Sequence, residues 1–281
     1  MTSNVAKVNG RAAVLGTPIA HSLSPVLHGA AYRALGLSGW TYDLIECDED
    51  GFPEFVANLG PEWAGLSLTM PLKRIALTVA DEVSPLATAV GAANTMLFDG
   101  GKRRVENTDV VGIVHALREA GVSSVGSAII LGAGGTAQAA LAALRELGQS
   151  APTVIVRNPA RTEDLKAAAV RLAVEPQVLG GLHDGPLPAA DVIISTLPAG
   201  AADALGFKDA GGAITILDVV YVPWPTPFAA RATEKGARIV SGLSVLLHQA
   251  IAQVELMTGL PAPAEAMREA LFAAVAARSA R

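Results

Sequence analysis

The chain has 281 residues, enough for one or two domains that each bury a core. Apolar residues make up 51% of it and charged residues 17%, which excludes an intrinsically disordered protein. The net charge is −5, from 21 basic and 26 acidic residues, so a nucleic-acid backbone is not expected as a partner. The single cysteine, Cys47, excludes an intrachain disulfide and a cysteine-cluster metal site. The histidines show no metal-binding spacing either, and no metal is expected.

The stretch from Gly121 to Leu144 carries no charged residue and is long enough to span a membrane. Glycines and small polar residues interrupt it, however, and its apolar pattern changes period, which predicts a strand, a loop and a helix instead. The N-terminal residues lack the apolar centre of a signal peptide. We therefore expect a soluble, cytoplasmic protein with no membrane partner.

In chain order, short β-rich runs alternate with runs rich in alanine and leucine, a pattern typical of α/β proteins with parallel sheets. Strands are predicted over residues 11–16, 40–47, 65–69, 95–98, 103–106, 127–131, 153–156, 192–195 and 214–218. The Asp-Gly-Gly sequence at 99–101 predicts a hairpin turn. Helices are predicted from an N-cap at Ser24 to Gly36, from Asp109 to Gly121, and over 135–147, 162–172 and 244–277 with an interruption at 261–263.

A glycine-rich turn lies between the predicted strand 127–131 and the helix that follows it. In this turn Gly132 permits a tight bend, Gly134 allows a pyrophosphate to approach the backbone, and Ala137 allows close packing of helix on strand. The first turn of the helix offers free N–H groups and a positive dipole end to phosphates. The strand, turn, helix and next strand are spaced as in dinucleotide-binding proteins.

The end of the next strand distinguishes between the two nicotinamide dinucleotides. An NAD site usually has an acidic residue there, about 20 residues on, which binds the ribose 2′-hydroxyl. Here the chain has Arg157 and Asn158, with Arg161 nearby and no carboxylate before Glu163. Because a guanidinium can hold a 2′-phosphate by two parallel hydrogen bonds, the sequence predicts NADP.

Polar side chains occur where strands are predicted to end and helices to begin, which is where α/β proteins place their sites. Considered singly, each has a structural explanation: Ser24 and Asp109 as helix N-caps, Asn94 as a turn residue, and Lys73 as a solvated lysine beside a proline. No G-x-S-x-G motif occurs, so a serine hydrolase is not indicated.

Considered together, the polar segments form a family pattern. The chain resembles the shikimate dehydrogenases over nearly its whole length, through seven segments in family order. These are G-T-P-I-A-H-S-L-S-P (16–25), S-L-T-M-P-L-K (67–73), G-A-A-N-T (91–95), E-N-T-D-V-V-G (106–112), G-A-G-G-T-A (132–137), D-V-V-Y-V-P-W-P-T-P (218–227) and G-L-S-V-L-L-H-Q-A (242–250).

The resemblance implies roles for individual residues. Lys73 and Asp109 resemble the catalytic pair, and Ser22 and Ser24 the serines that bind the substrate carboxylate. The remaining substrate contacts that it implies are Thr69, Asn94, Asp109, Tyr221 and Gln249. The NADP-binding residues that it implies are Gly132, Ala133, Gly134, Gly135, Thr136, Ala137, Arg157, Asn158, Thr196 and Gly242.

Three positions depart from the family pattern. Ser67 stands where many members have asparagine, which changes one substrate or structural hydrogen bond. Val156 replaces an asparagine before the arginine, and Val245 replaces a methionine expected beside the nicotinamide and substrate. None of the three removes a group that the reaction needs.

The implied reaction is the reversible NADPH-dependent reduction of 3-dehydroshikimate to shikimate, in aromatic amino-acid biosynthesis. Lys73 is expected to supply the proton, with Asp109 orienting it and a substrate hydroxyl. Alternatives are a quinate/shikimate dehydrogenase, an aminoshikimate dehydrogenase, and a dinucleotide-sensing protein without turnover. Ser24 and Arg157 argue against a quinate-using or NAD-using relative, and the presence of both Lys73 and Asp109 argues against a protein without turnover.

The same resemblance implies two domains. Residues 1–112 are expected to form an α/β substrate-binding domain with a mostly parallel sheet, and residues 113–242 a Rossmann domain for NADP. The C-terminal helices, 243–281, are expected to pack back on the first domain, because Gln249 can bind substrate only from there. The expected state is a monomer or homodimer that binds a small-molecule substrate.

Overall fold

The computed structural model describes residues 9–182, 186–206 and 214–279. Within these ranges the strands are Asn9–Gly16 (β1), Gly39–Glu46 (β2), Trp63–Leu68 (β3), Glu82–Val83 (β4), Thr95–Asp99 (β5), Lys102–Glu106 (β6), Ala128–Leu131 (β7), Thr153–Ile155 (β8), Gln177–Leu179 (β9), Val192–Ser195 (β10), Thr215–Asp218 (β11) and Arg238–Ser241 (β12). The helices are Ser24–Ala34 (α1), Phe52–Ala57 (α2), Ala76–Val79 (α3), Pro85–Val90 (α4), Asp109–Glu119 (α5), Gly135–Glu146 (α6), Glu163–Leu172 (α7), Pro227–Glu234 (α8), Gly242–Thr258 (α9) and Ala264–Ser279 (α10).

The described residues divide into two compact units. The first consists of 9–88, 92–108 and 246–279, and the second of 89–91 and 109–245 without the undescribed segments. Helix α5 thus lies in the second unit, and α9 begins in the second unit and continues into the first. Each unit has its own sheet and its own core, and they are described separately below.

The first unit contains a mixed sheet with the strand order β2-β1-β3-β5-β6-β4. Strand β1 pairs in parallel with β2 and β3, and β4 with β6, while β5 is antiparallel to both β3 and β6. The predicted hairpin is confirmed, with a turn at Gly100 and Gly101 between β5 and β6. On one face Leu15, Phe52 and Leu66 belong to a buried apolar cluster.

The C-terminal part of the first unit covers this sheet. Helix α10 packs against α1. Helix α9 approaches β3 closely at Gly65, where an added Cβ would lie 2.8 Å from Met257 Cγ and 2.9 Å from the Met96 carbonyl oxygen. The absence of a side chain at Gly65 therefore allows the polar residues of α9 to come near the carboxyl end of β3.

The second unit contains a parallel sheet with the order β12-β11-β10-β7-β8-β9. This is the strand order of the Rossmann fold, in which the order reverses between the first and fourth strands, here β7 and β10. Strands β7, β10 and β11 are buried over their whole length, as expected for a sheet covered on both faces. The predicted fold class is confirmed.

Two details differ from the sequence-based expectation. Helix α1 has Leu23 at its N-cap, without a side-chain cap bond, so the prediction that Ser24 is the N-cap is wrong. Ser24 is instead the first helical residue, followed by Pro25, which suits the start of a helix. The strands β4, β9 and β12 and the helices α2, α3, α4 and α8 had not been predicted.

The uncharged stretch 121–144 contains β7, a loop and most of α6, as predicted. In the part of the chain that the structure describes, no helix is both long enough and apolar enough to cross a membrane.

Candidate active site

In the first unit, the predicted carboxylate-binding serines lie at the start of α1. Ser24 is buried, with 4% of its surface exposed, and its backbone N–H donates to Ser22 Oγ at 3.3 Å. The Ser24 side chain also contacts the hydroxyl of Tyr42 on β2. The structure therefore brings Ser22 and Ser24 together and ties them to the edge of the sheet.

The predicted substrate residues Asn94 and Gln249 are also brought together, although they are far apart in the sequence. Asn94 Nδ2 lies 3.3 Å from Gln249 Oε1 and 2.9 Å from Thr108 Oγ1. The backbone N–H of Thr108 donates to Asn94 Oδ1 at 2.7 Å. Both amides are buried, and helix α9 places Gln249 beside the strand end that carries Asn94.

Thr69 and Lys73 lie in the turn that follows β3. The Thr69 N–H donates to the Leu15 carbonyl at 2.9 Å, which fixes the start of the turn to β1. The Lys73 carbonyl accepts from the Ala93 N–H at 2.7 Å, so the backbone of this lysine is fixed next to Asn94. The side chains of Thr69 and Lys73 are both partly exposed.

A group of buried, hydrogen-bonded side chains connects these residues, and we call it the buried polar network: Tyr42, Ser67, Asn94, Thr95 and Gln253. Asn94 was predicted as a substrate contact and Ser67 as a changed hydrogen bond, whereas Tyr42, Thr95 and Gln253 had been given no role. The Tyr42 hydroxyl donates to Ser67 Oγ at 2.7 Å, and Ser67 Oγ donates to Gln253 Oε1 at 2.8 Å. Gln253 Nε2 donates to the Asn94 carbonyl at 3.1 Å and to Thr95 Oγ1 at 2.9 Å. The sequence spacing could have indicated Gln253, because it follows the predicted substrate residue Gln249 by four positions and therefore lies on the same face of α9.

His28 lies against this network and is fully buried. Its ring stacks on that of Tyr42, with centroids 4.0 Å apart and an interplanar angle of 18°. Burial lowers the pKa of His28 to about 3, although the Gln253 side chain opposes the shift. Burial raises the pKa of Tyr42, against the contacts from Ser67 and Ser24. Both side chains are neutral near pH 7, so the network there consists of uncharged hydrogen-bonding groups.

In the second unit, the glycine-rich turn follows β7, at the point where the strand order reverses. Gly132 has φ +104°, in the region that favours glycine, and a Cβ added at Gly134 would meet nothing within 4 Å. Helix α6 begins at Gly135, with no acidic residue in its first turn, and Ala137 is fully buried. The space beside Gly134 and the amides of the first helical turn fit the pyrophosphate of a dinucleotide.

Thr196 follows β10, the neighbour of β7. Its Oγ1 donates to the Leu131 carbonyl at 2.7 Å, and its N–H donates to the same oxygen at 3.0 Å. Gly242, the first residue of α9, lies so close to Val219 that an added Cβ would overlap the Val219 carbonyl. Packing therefore accounts for the glycine at 242, and Thr196 fixes the end of β10 to the end of β7.

After β8 and the buried Val156, residues 157–161 are exposed, as a site for a 2′-phosphate requires. Arg157 and Arg161 are both exposed, and among the described carboxylates none forms an ion pair with either. Asn158 Oδ1 accepts from the Ala160 N–H at 3.0 Å and caps a short 3-10 helix, Pro159–Arg161. Asn158 thus shapes the loop that carries both arginines.

The last two predicted residues also lie in the second unit. Asp109 is the first residue of α5 and is buried, with 8% of its surface exposed. Tyr221 lies in the loop after β11, whose first residues are held by Asp218: Asp218 Oδ2 accepts from Thr226 Oγ1 at 2.8 Å, and Oδ1 from the Val220 N–H at 3.2 Å. Burial raises the pKa of Asp218.

Two family models match the chain. Residues 14–96 match the "Shikimate dehydrogenase substrate binding domain", and residues 242–272 the "Shikimate 5'-dehydrogenase C-terminal domain". Apart from residues 89–91, the first match lies within the first unit, and it contains the serine pair, Lys73 and Asn94. The second contains Gln249 and Gln253.

Relatives of the chain match it over most of its length. A shikimate dehydrogenase (NADP(+)) of Sinorhizobium medicae is 35% identical, with 92% of this chain and 93% of the relative covered. The crystal structure of Mycobacterium tuberculosis shikimate dehydrogenase is similar with a TM-score of 0.83 and 46% identity, covering 94% of this chain and 99% of that one. The Thermus thermophilus shikimate 5-dehydrogenase in complex with NADP(H) and shikimate is similar with a TM-score of 0.81 and 33% identity. The match covers 94% of this chain and 99% of that one. The chain belongs to the shikimate dehydrogenase family.

Proposed function

We propose that the chain catalyses the reversible NADPH-dependent reduction of 3-dehydroshikimate to shikimate, a step of aromatic amino-acid biosynthesis. The observation that carries this proposal is the buried amide pair Asn94–Gln249, joined at 3.3 Å in the unit that matches the family's substrate-binding model. Uncharged amides of this kind suit the ring hydroxyls of a polyhydroxylated substrate, because each can donate one hydrogen bond and accept another. The relatives named shikimate dehydrogenase (NADP(+)) support the same reaction.

The substrate contacts are assigned from the described positions. Ser22 and Ser24 bind the carboxylate, and Thr69, Asn94 and Gln249 bind ring hydroxyls, all from the first unit. Asp109 and Tyr221 are the remaining substrate contacts of the proposal. The adjacency of Ser24 to Ser22 and of Asn94 to Gln249 supports these assignments.

The cofactor is assigned to the second unit. The glycine turn after β7 and the first turn of α6 receive the pyrophosphate, and Arg157 with Arg161 receives the 2′-phosphate. The open space at Gly134 and the exposure of both arginines support this fit. When bound, NADPH supplies the hydride that reduces the ketone carbon.

The protein's own groups handle the proton and the charge. As the ketone is reduced, negative charge develops on its oxygen, and the Lys73 ammonium stabilises that charge and donates the proton. Asp109 accepts a hydrogen bond from the neighbouring substrate hydroxyl and orients the lysine. The backbone bond from Ala93 to the Lys73 carbonyl supports this role, because it holds the lysine beside Asn94.

One spectrophotometric assay tests the proposal. The purified protein is mixed with NADP⁺ and shikimate, and the appearance of NADPH is followed. In parallel reactions, quinate replaces shikimate or NAD⁺ replaces NADP⁺. We expect turnover with shikimate and NADP⁺, and much slower turnover with quinate or NAD⁺. Faster turnover with quinate would make the chain a quinate dehydrogenase. NADP binding without turnover of either compound would make it a dinucleotide-binding protein that is not an enzyme.

A cytoplasmic location and a monomeric or homodimeric state complete the proposal. The single cysteine, Cys47, supports a reducing compartment. Size-exclusion chromatography with light scattering tests the oligomeric state, and a mass of three or more subunits would contradict it.

A further inference from the structure

Gln253 is the junction of the buried polar network. It lies on α9 with 1% of its surface exposed, and its side chain bonds to Ser67 on β3 and to the strand end formed by Asn94 and Thr95. These segments are far apart in the chain, since 186 positions separate Ser67 from Gln253. One amide group therefore connects two predicted parts of the substrate site.

The hydrogen-bond partners of the Gln253 side chain determine which side its amide nitrogen faces and which side its oxygen faces. The Asn94 carbonyl can only accept a hydrogen bond, so the atom 3.1 Å from it must be the Gln253 nitrogen. The Gln253 oxygen then faces Ser67 Oγ at 2.8 Å, and because that oxygen carries no hydrogen, Ser67 must donate. With its only hydrogen used in this bond, Ser67 accepts from the Tyr42 hydroxyl.

The orientation of the Gln253 amide also determines which atoms of Thr95 and Asn94 donate and which accept. Thr95 Oγ1 accepts from Gln253 Nε2 at 2.9 Å and donates its own hydrogen to Asn94 Oδ1 at 3.0 Å. The Thr108 N–H donates to the same oxygen at 2.7 Å. Two donors thus hold Asn94 Oδ1 on the inner side. The Asn94 NH₂ group donates to Thr108 Oγ1 at 2.9 Å and, over a longer distance of 3.3 Å, to Gln249 Oε1.

We propose that Gln253 is a positioning residue of the substrate site, which orients the Asn94 amide so that a ring-hydroxyl oxygen of the substrate replaces Gln249 Oε1 as the acceptor of its outward N–H. At its other end, Gln253 fixes Ser67 and through it Tyr42, whose hydroxyl contacts Ser24. The identity of the substrate rests on the proposed function; the direction of the hydrogen bonds does not.

The test compares Gln253→Met with the matched control Thr258→Val. Methionine has nearly the volume of glutamine and fills a core position without hydrogen bonding. Thr258 is also buried on α9, but its hydroxyl donates to the Val254 carbonyl and accepts from the Leu260 N–H, and both partners lie outside the network. Kinetic constants for shikimate and NADP⁺ are measured for both variants, together with their thermal unfolding.

We expect Gln253→Met to raise the KM for shikimate at least tenfold, with the KM for NADP⁺ within twofold of wild type. Shikimate analogues that lack one ring hydroxyl give a second readout. The analogue that lacks the hydroxyl bound by Asn94 should lose the least affinity in Gln253→Met, because its contact with Asn94 is already absent, whereas the other analogues should lose as much as shikimate does. Thr258→Val should lower the unfolding temperature without either kinetic change.

If Gln253→Met does not fold, Thr95→Val tests the same link by removing only the hydroxyl between Gln253 and Asn94. It should raise the KM for shikimate threefold to tenfold. A folded variant at either position with an unchanged KM for shikimate, or with equal changes for shikimate and NADP⁺, would overturn the inference. Absence of shikimate turnover by the wild type would instead contradict the proposed function.

Discussion

Thr196 Oγ1 lies 2.7 Å from the position that a Cβ at Gly132 would occupy. The two residues follow β10 and β7, the neighbouring strands between which the strand order of the sheet reverses. Open α/β sheets bind their ligands in the crevice at such a point. The close approach of Thr196 leaves no space for a side chain at Gly132, whereas Gly134 is surrounded by open space.

This contrast gives a prediction for two alanine substitutions. Gly132→Ala introduces a contact with Thr196 and places a side chain at φ +104°, so it should destabilise the apoprotein by ~1–3 kcal/mol and weaken NADP binding. Gly134→Ala meets no neighbour, and should leave the stability of the apoprotein unchanged while weakening NADP binding through the lost backbone approach. Chemical denaturation and NADP titration measure both. Equal stability losses in the two variants would contradict this account of the turn.

Cofactor choice is predicted to depend on the loop after β8. Charge-assisted hydrogen bonds contribute ~1.5–3 kcal/mol, which corresponds to a preference for NADP of roughly tenfold to a hundredfold. The double variant Arg157→Asp/Arg161→Asp should abolish this preference, because the carboxylates repel the 2′-phosphate and can accept from a 2′-hydroxyl. Titrations of NADP and NAD at fixed ionic strength measure the ratio of affinities. Arg145→Asp, on the exposed last turn of α6, is the matched charge reversal and should leave that ratio unchanged.

Lys73→Ala is predicted to lower kcat for shikimate oxidation by at least a hundredfold, with a much smaller change in KM, because removing a general acid typically costs about 10²–10⁴-fold. Lys102→Ala is the control, since Lys102 lies on β6 of the same unit and pairs with Glu82. Steady-state kinetics measure both variants. If the kcat of Lys73→Ala stays within a few-fold of wild type, Lys73 is not the proton donor.

Stability below neutral pH is predicted to depend on His28. Its pKa is about 3 in the folded protein, against an ordinary value of 6.5, so below pH 6.5 the unfolded chain takes up a proton that the folded state does not. The contribution of neutral His28 to the free energy of unfolding is therefore complete above pH 6.5 and is lost as the pH falls toward 3. From pH 7 to pH 5 the wild type should lose ~2 kcal/mol more unfolding free energy than His28→Gln, at 1.36 kcal/mol per pKa unit. Urea unfolding at the two pH values measures this, and equal losses in both proteins would contradict the prediction.

Much of the fold could be predicted from local sequence patterns. The βαβ rhythm after residue 121, the hairpin at Gly100–Gly101 and the glycine turn after β7 each depend on residues close together in the chain. The Ser24 N-cap was placed one residue late, because a serine before a proline fits either the cap or the first helical position. The edge strands β9 and β12 were missed, since their short and mixed sequences do not differ from loops until the neighbouring strand pairs with them.

The sequence by itself determined the fold class, the glycine turn and the arginines that follow β8, because these features arise from backbone conformation and charge within short segments. Only the tertiary structure decided that Gln253, Tyr42 and His28 belong to the substrate side of the protein, and that Ser67 bonds to Gln253 there. A glutamine on a helix or a serine on a strand has the same local pattern whether it faces water or another amide. Its burial and its hydrogen-bond direction are set by elements that the chain supplies far away in sequence, as α9 does when it packs over β3 at Gly65.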